Sequence, residues 1–375
     1  EIRLSLVGSE MCIRDREKID LQTCMHYYSN YAYHENINYK IDTVSSFNTW
    51  GSVEREILLG SKIPQSDLYA VEAVAHLSFA TIDMVVSELQ DMKSMPKYKN
   101  VHFSNTSRDG VKRTLDRMSD AGLLRCFNFA SRNNAKVKIL IYCSSDIGIE
   151  LIIKRLYSKV KYKEVMPSLC PEEEAFRRLV SNACAIVLRE RYDYSKIMFN
   201  RQVYIPKLGL NRIYGKCERQ DGDITRIRII EPIYFKANPL RVPLERVRDA
   251  NENRFKVLNR FIETLKTNYT EEYLDLKIIF VYEDYDNIRE CVEMVVNNLE
   301  MIRNSFTSEL EDAMSSNAPY SINKNSAPEI KNVCFTSEPL LYHMGEEKKE
   351  FLGISRVEVD SEENINVHVN PDYKI

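Results

Sequence analysis

Between residues 66 and 142 the spacing of apolar residues changes from a helical to a β pattern, and this change constrains the fold more than any other feature of the chain. Three stretches before residue 122 repeat apolar side chains every three or four positions, which predicts three amphipathic helices. Two runs at 124–129 and 137–142 are rich in aliphatic and aromatic residues, and the polar turn between them predicts a β-hairpin. We therefore expect three helices followed by a hairpin, with Ser66 capping the first helix.

The third of these helices has the clearest end signals. Ser107 is the expected N-cap, because its hydroxyl can accept a hydrogen bond from a backbone N–H of the first turn. Val111, Leu115 and Met118 form the apolar stripe of this helix. Gly122 can adopt the left-handed conformation that ends a helix, so we expect the helix to stop there.

Three short helices followed by a basic hairpin make a winged helix-turn-helix. The ending Val111-x3-Leu115-x2-Met118-x3-Gly122-Leu-Leu124 resembles the recognition helix and first wing strand of bacterial winged-helix proteins. The segment Cys143-Ser-Ser-Asp-Ile-Gly148 that follows, with its helix, resembles the segment after the wing in the replication-relaxation family of plasmids and integrative elements. The resemblance implies a protein that binds double-stranded DNA.

The charge of the chain is unevenly distributed although its net charge is only -3. From Lys97 to Lys163 there are fifteen Lys and Arg against five Asp and Glu, whereas from Glu300 onward there are seven against fourteen. Lys and Arg supply most of the sequence-independent affinity for nucleic acid by neutralising phosphates. A basic segment in a neutral-to-acidic protein is therefore typical of a local polyanion site, and a solvated charged face is the alternative.

The basic residues of the third helix and of the hairpin are the candidate DNA contacts. If the apolar stripe faces inward, Arg113 and Arg117 lie on the opposite face of the helix, and Arg108 and Lys112 flank them. Arginine on such a face can reach guanine edges or phosphates in a major groove. The hairpin adds three basic residues as phosphate or minor-groove contacts, namely Arg132, Lys136 and Lys138.

A structural role for the same arginines stays open. Asp109, Asp116 and Asp120 share the polar face of the helix with them. Carboxylates three or four positions from Arg113 and Arg117 can form ion pairs along the helix surface. Such pairs would hold the arginines without any partner molecule.

A second module is predicted from residue 195 onward. Strand-like and helical patterns alternate there, at 201–205, 213–217, 224–235, 244–265, 276–282 and 291–302. Strands and helices in this order imply right-handed crossovers on a mixed sheet. The order resembles a degenerate restriction-endonuclease-like core, and it also fits unrelated sheets. The fold class is therefore α/β, or α+β overall, with a winged helix-turn-helix first and a mixed-sheet module second.

The second module carries weak candidates for nuclease chemistry. A nuclease of the restriction type needs carboxylates at a strand end to hold a divalent cation and a lysine to assist the attacking water. Asp223, Glu231 and Lys236 are the best candidates, but Lys236 is five residues from Glu231, so the two would point to opposite faces of a strand. Another acidic cluster lies at 283–286, where ligand sites of α/β sheets are found, but Asp286 is better explained as the N-cap of the next helix. We expect no metal site and no cofactor. No glycine-rich phosphate loop of the Walker or Rossmann type is present, which argues against nucleotide hydrolysis and dinucleotide binding.

The remaining segments complete the domain organisation. The stretch 6–16 resembles translated sequencing-adapter DNA, so we treat 1–16 as a non-native leader. The other expected segments are an irregular arm at 17–64, the winged helix at 65–165, a connecting helix at 166–194, the α/β module at 195–302, and a loop with C-terminal strands and a loose acidic tail at 303–375. The nine cysteines lack zinc-ligand spacing and are expected to be reduced and buried, as in a cytoplasmic protein.

These observations favour one function and leave two alternatives. The favoured function is a DNA-binding protein of a bacterial plasmid or mobile element that acts without catalysis in replication, transfer or their regulation. The alternatives are a metal-dependent nuclease whose catalytic domain is the second module, and a winged helix used only for protein contacts. A homodimer and contacts with replication or transfer proteins are further expectations, and no membrane association is expected because no apolar run is long enough to span a bilayer.

Overall fold

A computed structural model describes a large part of the chain and divides it into two compact units. The described residues are 42–43, 63–103, 106–130, 138–157, 172–233, 244–269, 271–282, 295, 333–337, 351–359, 365–370 and 375. The first unit ends at Ile186 and the second begins at Val187. The leader at 1–16 and nearly all of the arm at 17–64 lie outside the described residues.

Three helices of the first unit lie where the apolar periodicity predicted them. They are α1 (Gln65–Leu77), α2 (Ile82–Ser94) and α3 (Arg108–Asp120), with a short 3-10 turn at Pro96–Tyr98 between α2 and α3. Ser107 caps α3 as predicted, since its hydroxyl accepts a hydrogen bond from the backbone N–H of Gly110. Gly122 has a φ of 73°, in the left-handed region expected for a residue that ends a helix.

Helix α1 starts two residues earlier than predicted. The helix begins at Gln65 and not at a Ser66 cap, and no side chain caps it. Pro64 takes the N-cap position, and the backbone N–H of Asp67 donates to its carbonyl oxygen over 3.0 Å. Proline already has a helix-like φ, so the first turn can start directly after it.

The predicted hairpin follows α3. Its strands are β2 (Leu124–Ala130) and β3 (Lys138–Ser144), which pair antiparallel from Leu124 opposite Ser144 to Ala130 opposite Lys138. The sequence did not reveal β1 (Asp42–Thr43), which pairs antiparallel with β2. Ala80, in the α1–α2 connection, exchanges two backbone hydrogen bonds with Tyr142 of β3, of 2.9 and 2.8 Å. This bridge fastens the hairpin to the helices.

Two further helices complete the first unit and lead out of it. They are α4 (Asp146–Leu156) and α5 (Glu172–Tyr192). Gly148 of α4 packs so closely on the backbone that a Cβ there would lie 2.1 Å from the carbonyl oxygen of Leu123. The side-chain amide of Asn182 in α5 donates to the backbone oxygen of Leu77, the last residue of α1, and to that of Phe79, two residues further on.

The second unit is built on a mixed sheet with helix α6 (Leu244–Lys266). Among its described residues seven strands form the sheet, namely β4 (Lys196–Ile205), β5 (Gly209–Asp221), β6 (Ile224–Pro232), β7 (Leu274–Tyr282), β8 (Val333–Ser337), β9 (Leu352–Val359) and β10 (Ile365–Asn370). Their order is β10-β9-β8-β7-β6-β5-β4. The β6–β7 and β7–β8 pairs are parallel and the outer pairs are antiparallel. The prediction of a mixed α/β sheet is confirmed.

The hydrophobic core of the second unit lies between α6 and the middle of the sheet. Six apolar residues of α6 are buried there, namely Phe255, Val257, Leu258, Phe261, Ile262 and Leu265. They pack with buried residues of β6, β7 and β8, among them Ile229, Phe280 and Phe335. The prediction of a loose tail is wrong in one respect, because 365–370 pairs antiparallel with β9, with a register shift between His368 and Val369. The loop at 303–331 lies outside the described residues.

Candidate nucleic-acid interface

Helix α3 presents its polar face to solvent as its periodicity predicted. Val111, Leu115 and Met118 are buried, and Arg113 and Arg117 on the other face are exposed. The apolar stripe recurs every three or four positions, so the arginines between those positions are turned away from the core. The side chains that could meet a partner are therefore on the accessible face of the helix.

Arg108 and Arg117 each form an ion pair with a carboxylate from another helix. The Nε atom of Arg108 lies 2.9 Å from Oδ1 of Asp83 in α2, and Nη2 of Arg117 lies 3.0 Å from Oδ2 of Asp67 in α1. Both aspartates are buried. A buried carboxylate is unfavourable unless it is paired and hydrogen-bonded, so these two arginines hold α3 against the rest of the unit. The sequence suggested pairing with the carboxylates of α3 itself, but the partners of both arginines are on other helices.

Lys112 belongs to a chain of hydrogen bonds that joins α3 to the hairpin. Its Nζ donates to Oδ2 of Asp116 over 2.8 Å, one turn further along the helix. The other oxygen of Asp116 accepts a 3.0 Å hydrogen bond from the hydroxyl of Tyr142 in β3. Tyr142 is fully buried, and burial raises the pKa of its phenol well above the usual value. The hydroxyl therefore stays protonated and remains a donor to Asp116.

Arg113 differs from these neighbours. Its Nε donates to the backbone oxygen of Asp109 within the same helix, over 3.2 Å. Within the part of the chain that the structure describes, Arg113 makes no ion pair. Its guanidinium is exposed and is not committed to a carboxylate. Asp109 and Asp120 are also exposed on this helix, so its outer face carries both signs of charge.

The three basic residues predicted for the hairpin turn fall largely outside the described residues. Lys138 begins β3 and its backbone pairs with Ala130, but its side chain is not among those described. Arg132 and Lys136 lie in the connection 131–137, which is outside the described part. Their role as phosphate contacts stays a prediction.

A basic surface between α2 and α3 was missed by the sequence reasoning. Lys93, Lys97, Lys99 and His102 are exposed there. A signal was available, because no Asp or Glu occurs between Asp91 and Asp109. The connection has no helical repeat of apolar residues, so periodicity did not identify it.

Four carboxylates buried in α1 and α2 were also missed. Besides Asp67 and Asp83 they are Glu72 and Glu88. His76 lies between the latter two, with Nδ1 3.2 Å from Glu88 and Nε2 4.0 Å from Glu72. Lys97 also reaches Glu72, over 3.3 Å. This network accounts for His76 as a partly buried residue that supports the packing of α1 and α2.

The nuclease candidates are not brought together. Asp223 is exposed in the β5–β6 turn, while Glu231 lies at the opposite end of β6, about 26 Å away at the usual rise of a strand. Glu231 is buried, and its two carboxylate oxygens accept hydrogen bonds of 2.7 and 2.6 Å from Arg254 of α6. This arginine occupies the carboxylate that a cation would need. Lys236 and the 283–286 cluster lie outside the described residues.

Other features of the described residues bear on alternative functions. Five cysteines, at 126, 143, 184, 217 and 334, are free and buried, as predicted for them. Among the side chains that the structure describes, no cluster of three or more His, Cys, Asp or Glu has the arrangement of a metal site. No helix in the same part of the chain combines the length and apolar character that crossing a membrane requires.

Comparisons with known proteins give no assignment. No family model matches the chain, and neither the curated proteins nor the solved structures contain a match to it.

Proposed function

We propose that this protein binds double-stranded DNA through helix α3 and the β2–β3 hairpin, used as a winged helix-turn-helix. It acts without catalysis in the replication, transfer or regulation of a bacterial plasmid or mobile element, as the resemblance to the replication-relaxation family implies. The observation that carries the proposal is that Arg113 is exposed on α3 and makes no ion pair within the described residues.

The arrangement of the unit supports this use of α3. The helix is held from behind by Arg108 and Arg117, and its Asp116 is hydrogen-bonded to Tyr142 of the hairpin. The bridge between Ala80 and Tyr142 fastens the same hairpin to the helices. A groove-reading helix gains affinity when its orientation is fixed before binding, because less freedom is then lost on association. Arg113 would reach a base edge or a phosphate from this fixed support.

The charge of the α3 face predicts moderate and selective binding. Arg108, Lys112 and Arg117 each have a carboxylate partner, and Asp109 and Asp120 repel phosphates. Affinity for any duplex would then depend on cations outside the centre of the helix, including the hairpin turn. Aspartate on a recognition helix can also accept a hydrogen bond from cytosine N4, which favours particular sequences.

Within the described part of the chain, nothing favours the nuclease. Glu231 is better explained as the partner of Arg254, which also lies over the ring of Tyr214 at 4.9 Å and donates to the backbone oxygen of Arg212. A carboxylate held this way supports the packing of α6 on the sheet.

The experiment that tests the proposal is a titration of the full chain into a fluorescent duplex of mixed sequence, followed by anisotropy. Arg113→Ala is expected to weaken binding by about 1–3 kcal/mol if it contacts a base, which is about 5-fold to 150-fold, without loss of folded protein. Lys154→Ala is the matched control, because Lys154 is an exposed cation of α4 paired with Glu150.

The two arms give distinct outcomes. Loss of affinity in Arg113→Ala, with Lys154→Ala equal to the unchanged protein, supports the proposal. No binding of the duplex at low salt by the unchanged protein contradicts it, and co-purification of a protein partner with that result would point to the scaffold alternative.

A further inference from the structure

The connection between α2 and α3 is unusually long and basic. It runs from Met95 to Ser107, whereas helix-to-helix connections in small domains commonly have about 2–8 residues. Lys97, Lys99 and His102 lie in it, Lys93 lies two residues before it, and all four are exposed. No Asp or Glu occurs between Asp91 and Asp109, so the segment carries lysines without acidic residues among them.

The connection is held in place by buried aromatic rings. Tyr98 and Phe103 from the connection pack against Tyr69 of α1, with ring centroids 5.7 and 5.0 Å from it, and lie 5.9 Å from one another. All three rings are buried. The 3-10 turn at Pro96–Tyr98 and the backbone hydrogen bond from Val101 N to Tyr98 O fix the chain between them. The lysines therefore project from a supported backbone.

The basic surface continues to the start of α3. Nζ of Lys93 donates to the hydroxyl of Thr106 over 2.7 Å, and Thr106 is two residues before Arg108. Lys97 is partly committed, because its Nζ lies 3.3 Å from Glu72. The side chain of Lys99 forms neither an ion pair nor a hydrogen bond within the residues that the structure covers. Lys93 and Lys99 are thus the cations available to an anionic partner.

We propose that Lys93 and Lys99 form a second phosphate-binding surface, which contacts the DNA backbone beside the groove entered by α3. This inference rests on the proposed function. It explains where sequence-independent affinity comes from when most cations of α3 itself are paired with carboxylates. Phosphate contacts of this kind set the position of the protein on the duplex, and base contacts from α3 select the sequence.

The test measures how the affinity for a duplex of about 30 base pairs depends on salt, with the full chain and the variants Lys99→Ala and Lys93→Ala/Lys99→Ala. Each lost phosphate contact is expected to reduce the slope of log K against log salt by about 1, and to weaken binding several-fold at low salt. Lys99→Ala is the cleaner variant because Lys93 also lies 5.8 Å from the ring of Phe103. Thermal unfolding of each variant checks that the unit stays folded.

The outcomes separate this inference from the proposed function. If Arg113→Ala weakens binding while the double lysine variant keeps the affinity and salt slope of the unchanged protein, the second surface is wrong and the proposed function stands. If Lys154→Ala reduces the slope as much as Lys99→Ala does, the effect is one of total charge and the inference is overturned. If the unchanged protein does not bind the duplex, both proposals fail.

Discussion

Arginines on one helix differ in role because they differ in partner. Arg108 and Arg117 reach the buried carboxylates Asp83 and Asp67, whereas Arg113, between them, reaches only the backbone of its own helix. Removing one member of a pair with a buried carboxylate takes away part of what compensates that charge. Residues of the same type, five and four positions apart, are thus expected to affect stability and binding differently.

Arg108→Ala is expected to lower the free energy of unfolding by about 1–3 kcal/mol, because it leaves Asp83 with a lost charged hydrogen bond. Arg113→Ala is expected to change it by less than about 0.5 kcal/mol, since it is an exposed position. Urea unfolding followed by far-UV circular dichroism measures both. Equal destabilisation by the two substitutions would refute the division of roles.

At the scale of elements, α3 and the hairpin are coupled by Asp116. One oxygen of this carboxylate is bound by Lys112 on the helix surface and the other by Tyr142 in β3. The Ala80 bridge adds backbone hydrogen bonds at the same tyrosine. A helix and a hairpin linked in this way are expected to move as one body.

Tyr142→Phe tests that coupling. The variant keeps the buried ring and removes only the hydroxyl that donates to Asp116, so a loss of about 1 kcal/mol of stability is expected. The affinity for duplex DNA should fall as well, because α3 and the hairpin would no longer be fixed together. Tyr157→Phe at the exposed end of α4 is the matched control and should change neither quantity. Unchanged stability and affinity in Tyr142→Phe would contradict the coupling.

Local signals explain why α3 was predicted well. Its cap Ser107, its apolar stripe and Gly122 are all within one short segment, and each acts through neighbouring residues. The partners of Arg108 and Arg117 were not predictable, because Asp83 and Asp67 belong to other helices and only the tertiary packing brings them close. Strand β1, two residues long, depends wholly on pairing with β2 and has no pattern of its own. Strand β10 follows an acidic stretch that suggested a loose tail.

For the whole molecule, the lowered pKa values of two carboxyl groups in the second unit predict that the fold is more stable at neutral than at acidic pH. Burial raises the pKa of Asp275, but the hydrogen bond and charge of Arg228 outweigh it and leave the pKa below its usual value. Burial likewise raises the pKa of Glu218, and hydrogen bonds from Lys196 and Lys216 outweigh it. Arg228 is fully buried on β6, so its pair with Asp275 fixes β6 to β7.

The pH dependence of stability follows from the sign of these shifts. A carboxyl group whose pKa is lower when folded stabilises the fold above its unfolded pKa of about 4, and this contribution is lost as the pH falls through the folded pKa. The chain is expected to lose stability below about pH 4. Asp275→Asn is expected to have a lower free energy of unfolding at neutral pH, and to lose less of it as the pH falls below about 4. Thermal unfolding at a series of pH values measures this. An acid response of Asp275→Asn identical to that of the unchanged chain would count against it.

If the first unit binds the DNA backbone, the affinity of the unchanged full chain for a duplex must depend on salt. Anisotropy of a labelled duplex of mixed sequence is measured from about 50 to about 200 mM salt, where released counterions make the affinity fall as a power of the salt concentration. We expect measurable binding at the lowest salt concentration and a linear fall of log K with the logarithm of the salt concentration. Absence of binding at the low end, or an affinity that does not respond to salt, would contradict it.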